Sequence, residues 1–233
     1  MFFKLNQYFI KNADGAIYVT EKSLQGKYPT NGFASYASDV EIDIKDKKIV
    51  LEDYNIHNRD FKIGLIGDYN NHYKGINEAI KAVEILNDQG LKINLHILGS
   101  GSLLKFYEDL AKELGVSGFV HFDSRLNSND EVIAWLEDLD LYIQPSYTEG
   151  LPRALIEAMI NGLPYAASNI DSIKETVLNL ENLYDPKDID SFVKAIDTSY
   201  KKRPQKDILH QQHVIEKFDA NECFSRFYRR LSI

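Results

Sequence analysis

L-Y-I-Q-P-S-Y-T-E-G-L-P-R-A-L-I-E-A-M-I, residues 141–160, spells out a complete strand–loop–helix unit. An apolar run, 141–145, reads as a short buried strand. Glu149 lies in the loop that follows, and Gly150 permits a tight backbone there. Pro152 suits the first turn of a helix, where its missing N–H costs nothing. The helical pattern then runs through Leu155, Glu157, Ala158, Met159 and Ile160. Glu157 falls about one and a half turns inside, roughly 7 Å along the axis from the helix start. Between the two carboxylates lie the unpaired N–H groups of a helix N-terminus, a natural seat for an anion. A ligand with hydroxyls at both ends and phosphate in the middle suits this layout, and a nucleotide sugar is such a ligand. On spacing alone, an ordinary helix with a first-turn acid near its dipole is the stronger reading.

Outward from this unit the same alternation repeats. Strand-like runs at 61–67, 92–99, 118–122, 141–145, 163–168 and 181–185 are each followed by a helical pattern. The helices are expected at 76–89, 103–114, 130–137, around Glu157, from about Ser172, and at 189–200. Short strands separated by helices indicate βαβ units with right-handed crossovers. The fold class is therefore α/β, a Rossmann-like doubly wound parallel sheet, with its ligand crevice at the C-terminal ends of the strands. Residues 1–60 do not begin that alternation. They read as an amphipathic helix with Phe2, Leu5, Phe9 and Ile10 on one side, a strand at 16–20, a helix at 21–27, and strand-like pieces from Phe33 to Val50.

The text around the two glutamates, Q-P-S-Y-T-E-G-L-P-R-A-L-I-E-A-M-I-N-G-L-P-Y-A-A-S, resembles the P-S-x-x-E-G-x-P…E-A-M-x-x-G-x-P-V-V-A-S block of GT4-like retaining glycosyltransferases of GT-B architecture. The resemblance implies that Glu149 contacts the donor sugar and that Glu157 binds the ribose hydroxyls. Gly150, Leu151, Pro152 and Arg153 would then border the diphosphate. G-D-Y-N-N-H-Y-K-G, residues 67–75, is similar to the family's G-R-x-x-x-x-K-G phosphate loop. Gly67 and Lys74 match, but Asp68 stands at the arginine position and the loop is one residue longer. Arg153 offers a compensating cation. Gly99, in L-G-S-G-S, corresponds to a glycine of the nucleotide crevice. Arg125, in F-D-S-R-L, stands near where the family meets the nucleobase, either as a contact or as an ordinary surface arginine. The implied catalytic pair is Glu149 and Lys74, with no cofactor and no metal.

The same resemblance divides the chain. A-D-G-A-I-Y-V-T-E, residues 13–21, is similar to the segment that closes the family's N-terminal domain. Residues 1–60 are expected to be a remnant of that acceptor domain and a linker. Residues 61–200 form the nucleotide-sugar domain, and 201–233 the crossover helices. Most of an N-terminal domain is missing in front. The implied activity is sugar transfer with retention from a nucleoside-diphosphate sugar to a glycan or lipid-linked acceptor. The alternatives are a non-catalytic nucleotide-sugar-binding module or a subunit acting with a partner, and, more weakly, a nicotinamide oxidoreductase. Leu104 at the third glycine position of the L-G-S-G-S fingerprint speaks against the last.

Bulk properties narrow the rest. The chain has 233 residues, 44% hydrophobic, with a net charge of −8. That charge argues against nucleic acid as a partner. No run of about 20 apolar residues spans a membrane, and the N-terminus lacks a secretory cleavage site. The single cysteine, Cys223, excludes an intramolecular disulfide and fits a cytoplasmic setting. From Lys201 onward there are eight basic and four acidic residues. There Phe224, Phe227, Tyr228 and Leu231 repeat at helical spacing beside Arg226, Arg229 and Arg230. This stripe and the N-terminal helix suggest self-association, docking onto the missing domain, or peripheral contact with the inner face of a membrane. The histidines show no zinc spacing. D-L-D, residues 138–140, has the form of a metal motif but joins a helix end to a buried strand, so no metal is expected there.

Overall fold

The computed structural model describes residues 2–37, 40, 60–202 and 207–218. Six strands form one sheet, all parallel: β3 (Phe61–Asp68), β4 (Ile93–Ser100), β5 (Val120–Asp123), β6 (Leu141–Gln144), β7 (Tyr165–Ser168) and β8 (Leu183–Tyr184). Their spatial order is β5-β4-β3-β6-β7-β8. Counted from the first strand of the sheet this is 3-2-1-4-5-6, the doubly wound order, and its direction reverses between β3 and β6.

Strands buried on both faces read as continuous apolar runs rather than alternations. Every residue of β6 and β7 is buried. One face packs against α3 (Ile76–Asp88), α4 (Leu104–Glu113) and α8 (Ile189–Lys202), through residues such as Ile63, Leu65, Ile97, Ile80 and Phe192. The other packs against α5 (Asn129–Glu137), α6 (Arg153–Ile160) and α9 (Ile208–Phe218), through Tyr142, Tyr165, Leu136, Met159 and Val214. Consecutive residues Tyr142 and Ile143 go to opposite cores, as the period-2 geometry of a strand requires. α9 is seated by the Gln211 amide, which donates to Ile160 O at 2.6 Å.

Residues 2–36 form α1 (Phe2–Lys11), β1 (Gly15–Tyr18), α2 (Ser23–Lys27) and β2 (Phe33–Tyr36). β1 and β2 pair in parallel as a separate two-stranded sheet. α1 buries none of its residues, and Phe2 is 82% exposed. The start of α2 is tied to Glu175, whose Oε2 accepts from the N–H groups of Lys22 and Ser23 at 3.1 and 3.0 Å. The carboxylate thereby satisfies donors at the start of α2.

Two local expectations need correction. The helix after β7 is only one turn, α7 (Asp171–Lys174). Its N-cap is extended Ile170, with no side-chain cap. Ile170 packs against the core, so tertiary packing outweighs the capping preference of its polar neighbours. The helix after β6 begins at Arg153, with Pro152 as N-cap at ψ 69° rather than inside the first turn. The apolar stripe from Phe224 to Leu231, Cys223, the three nearby arginines and the strand-like pieces from 41 to Val50 lie outside the described residues.

Candidate active site

The reversal of strand order brings two loops together. One leaves β3 and the other leaves β6. The first loop turns through a short 3-10 segment, His72–Lys74, into Gly75 and α3. Gly75 has φ 69°, and a Cβ there would stand 2.0 Å from Pro145 O. Only glycine permits both the left-handed conformation and that approach. The Tyr147 N–H donates to Tyr73 O at 2.8 Å and ties the loops a second time.

At this junction Lys74 Nζ stands 2.7 Å from Glu149 Oε1. The side chains are 16% and 7% exposed, so the pair is largely withdrawn from water. The Gln144 amide donates to the same Oε1 at 2.6 Å and to Ser146 Oγ at 2.9 Å. The Tyr142 hydroxyl donates to Gln144 Oε1 at 3.0 Å and accepts the Ile66 N–H at 3.3 Å. Burial holds the Tyr142 phenol far above its ordinary pKa; the Ile66 bond pulls the other way, and the charges of Glu149 and Glu157 push it higher still. The charges of both glutamates thus reach one buried tyrosine.

Of the residues singled out from sequence, Glu149 and Lys74 are in contact. Glu157 is partly buried on α6, one turn from its start at Arg153. Pro152 is buried, Leu151 packs against the core, and Arg153 is exposed at the first helical position. Gly150 has neither a left-handed φ nor any atom within 4 Å of a Cβ placed on it. The tight backbone expected there is absent, and the position opens onto free space. A Cβ on Gly67 would crowd the Leu65 side chain at 3.2 Å, with its other neighbours, Ile76 and Lys74, at an ordinary 3.5 Å. Gly99 has a steric reason of its own: a Cβ there would stand 1.9 Å from Gly67 O across the parallel ladder. Arg125 is exposed in the loop after edge strand β5.

The departure at Asp68 has a local explanation. Its Oδ1 accepts from the backbone and side-chain N–H groups of Asn70, at 3.0 and 2.5 Å, forming an Asx turn. Asn70 Oδ1 in turn accepts the Ser102 N–H at 3.0 Å. The extra loop residue delivers Tyr69 into the core, where its hydroxyl donates to Ile97 O at 2.6 Å. Asp68 therefore shapes the loop and brings no cation to it.

A cleft of about 740 Å³ opens beside Glu149. Its walls are α2, with Lys22 and Lys27, the loop carrying Tyr147 and Thr148, and the segment from Ile170 to Glu175. The sequence reading missed Tyr142, Gln144, Tyr69 and the α2 lysines. The first three sit in apolar runs or loop text that no spacing rule singles out. Elsewhere, His96 and His121 lie on β4 and β5 with rings stacked 4.6 Å apart. Asp123 accepts from His96 at 3.2 Å and from Trp135 at 2.7 Å, away from the junction. The aspartates of D-L-D are used structurally. Asp138 pairs with Lys62 Nζ at 2.5 Å, and Asp140 accepts the Lys62 N–H at 2.8 Å. Among the described residues no group of three or more His, Cys, Asp or Glu side chains is placed to hold a metal. No helix among them is long and apolar enough to cross a membrane.

Known proteins resemble this chain in sequence and in fold. Protein CapJ of Staphylococcus aureus is 41% identical over 192 residues, 82% of this chain and 47% of CapJ. The putative colanic acid biosynthesis glycosyltransferase WcaL of Escherichia coli K12 is 33% identical over 110 residues, 45% of this chain and 27% of that protein. A TarM variant from Staphylococcus aureus, crystallised with fondaparinux, α-GlcNAc-glycerol and UDP, superimposes with a TM-score of 0.75 at 19% identity, covering 99% of this chain and 47% of that one. The chain spans about half the length of curated relatives it matches. The family described as glycosyl transferases group 1 matches residues 46–213, more than half of the sequence, and with the doubly wound sheet this shows that the chain belongs to that family of GT-B glycosyltransferases.

Proposed function

We propose that this chain is the donor-binding half of a GT4-type retaining glycosyltransferase that moves a hexosyl group from a nucleoside-diphosphate sugar to a glycan or lipid-linked acceptor. The observation that carries the reading is the Lys74–Glu149 contact at the point where strand order reverses, in the loop that leads into α6 and Glu157. In this reading the diphosphate lies over the first turn of α6. The N–H groups of Ala154 and Leu155 in that turn and the helix dipole favour an anion there. Gly150, Leu151, Pro152 and Arg153 border it, and Gly67 and Gly99 wall the crevice. Lys74 supplies a point charge to phosphate, Glu157 accepts the ribose hydroxyls, Glu149 accepts a sugar hydroxyl, and Arg125 lies towards the base. Lys74 and the helix terminus stabilise the charge that builds on the leaving diphosphate, without a metal. The departing phosphate oxygen helps to deprotonate the acceptor. The UDP bound by the TarM variant supports the nucleotide assignment, and the WcaL name supports a polysaccharide acceptor.

Residues 1–60 are assigned to the end of an acceptor domain, 61–200 to the donor domain and 201–233 to crossover helices. Two parallel strands on their own are unusual, because parallel sheets occur buried within larger ones. That supports further strands beside β1 and β2 in the complete protein. The work site assigned is the cytoplasm, at the inner membrane face. Calorimetry with UDP, ADP and GDP and their glucose conjugates tests the donor assignment. Binding of a nucleoside diphosphate that fails in Glu157→Ala supports it. Absence of binding to every member of the panel refutes it. Sugar release or transfer from the bound conjugate separates an enzyme from a passive binding module.

A further inference from the structure

Glu149 is assigned to the donor sugar, yet the structure spends two donors on only one of its oxygens. Lys74 Nζ and Gln144 Nε2 both reach Oε1, at 2.7 and 2.6 Å. Oε2 has no donor among the described residues. Lys74 is set by a surface loop, whereas Gln144 is 2% exposed at the end of central strand β6. Gln144 is itself fixed from below. Tyr142, 0% exposed, donates to its carbonyl oxygen and takes the Ile66 N–H of β3. Its amide makes a second bond to buried Ser146. A glutamine whose carbonyl receives a hydroxyl proton has its amide end turned the other way, towards the glutamate. The chain from Ile66 through Tyr142 and Gln144 to Glu149 therefore has a single polarity. It crosses the two strands between which the sheet order reverses.

We propose that Gln144 is a positioning residue that fixes Glu149 Oε1 to the sheet and leaves Oε2 as the acceptor for a donor-sugar hydroxyl. When Lys74 turns to diphosphate, Gln144 is the donor that remains on Oε1. Glu149 then keeps its rotamer at the moment it must recognise the sugar. A buried hydrogen bond to a carboxylate is strong enough to do this. The inference rests on the assignment of Glu149 to the sugar, and it adds a determinant of sugar recognition that lies outside the loop.

Two variants test it, with UDP, UDP-glucose and UDP-N-acetylglucosamine as calorimetric probes of the whole chain. Gln144→Met removes the donor at nearly constant volume. Loss of a hydrogen bond to a charged group lowers the preference for the better UDP-sugar over UDP by about tenfold, with UDP itself within twofold. Gln144→Glu is isosteric and sets a second carboxyl against Glu149. Two carboxyls this close share one proton, which raises the apparent pKa of the pair. While the proton is held, the introduced carboxyl donates to Oε1 as the amide did. Sugar preference in Gln144→Glu is therefore near the unsubstituted level at mildly acid pH. It is lost as pH rises through a value above the ordinary carboxylate range of about 4. The unsubstituted chain shows no such loss over the same range. A merely structural role would produce no pH-dependent loss confined to the sugar. A full sugar preference in Gln144→Met, or a flat profile in Gln144→Glu, overturns the inference while leaving the donor assignment intact. Failure of the unsubstituted chain to distinguish UDP-, ADP- or GDP-glucose from the corresponding nucleoside diphosphate overturns both. If Gln144→Met does not fold, the pH profile of Gln144→Glu alone decides.

Discussion

Replacing Lys74 by alanine probes both stability and ligand charge. Its ammonium nitrogen lies 2.7 Å from Glu149 Oε1, and the two side chains are 16% and 7% exposed. At an effective dielectric of about 20, the attraction at that distance is about 6 kcal/mol before desolvation is subtracted. Removing one partner of a buried pair typically costs about 3–5 kcal/mol, because the other charge is left behind. Here the Gln144 amide still donates to the carboxylate, and the lysine keeps some contact with water. The expected loss is therefore smaller, about 2 kcal/mol. For a chain of this size that lowers the melting temperature by about 4–8 °C. The double variant Lys74→Ala/Glu149→Gln recovers most of it, since no unpaired carboxylate remains. In calorimetry, Lys74→Ala loses about tenfold or more in affinity for UDP, about 1.4 kcal/mol, while uridine is unaffected. The loss shrinks at high salt. Unchanged melting temperature together with unchanged UDP affinity at all salt concentrations refutes both the energetic weight of the pair and the phosphate role of the loop.

The other predictions follow from neighbouring geometry. Glu157→Ala weakens UDP binding more than Glu149→Ala does, by about 1.5–3 kcal/mol for bonds to a charged acceptor, whereas Glu149→Ala acts on the UDP-sugar; isothermal titration of both ligands measures the difference. Stability falls with acid. Burial, then the nearby His96, holds His121 below its ordinary value, and burial, then Lys217, does the same for His213. The unfolded chain takes up protons first as pH drops below about 6.5, so stability complete above that pH is lost towards the lower folded values. Melting curves between about pH 7 and pH 5 show the decline, and His121→Gln flattens it. The exposed apolar side chains of α1, with Phe2 at 82% and Phe9 at 61%, are expected to drive self-association of the isolated chain. Light scattering checks this, and a strictly monomeric species counts against it.

Much of the fold was legible because periodicity reports burial. The runs at β6 and β7 are buried on both faces of a covered sheet, those at β3 and β4 chiefly on one, and each fell where the text placed it. Helix ends were less legible. Pro152 has the chemistry of a first-turn residue but caps α6 from outside, because the chain must bend there to bring Leu151 onto the core. The two residues of the candidate pair were readable because the family text quotes them. Their contact was not, since it depends on Gly75 pressing against Pro145 across seventy residues of sequence. Gln144 was hidden inside a strand, where a polar residue looks like a lapse in an apolar run. Its meaning appears only when Tyr142, Glu149 and Ser146 stand around it. Asp68 looked like a broken phosphate loop. It is an Asx turn that lets Tyr69 reach the core.

The central claim is that a nucleoside diphosphate binds where the strand order reverses, with its phosphates over the first turn of α6. A crystal structure of this chain soaked with UDP tests it most directly. The account predicts phosphate oxygens within hydrogen-bonding distance of N–H groups in the first turn of α6 and of Lys74 Nζ, and ribose hydroxyls on Glu157. UDP bound elsewhere, or bound at the junction with its ribose away from Glu157, would contradict it.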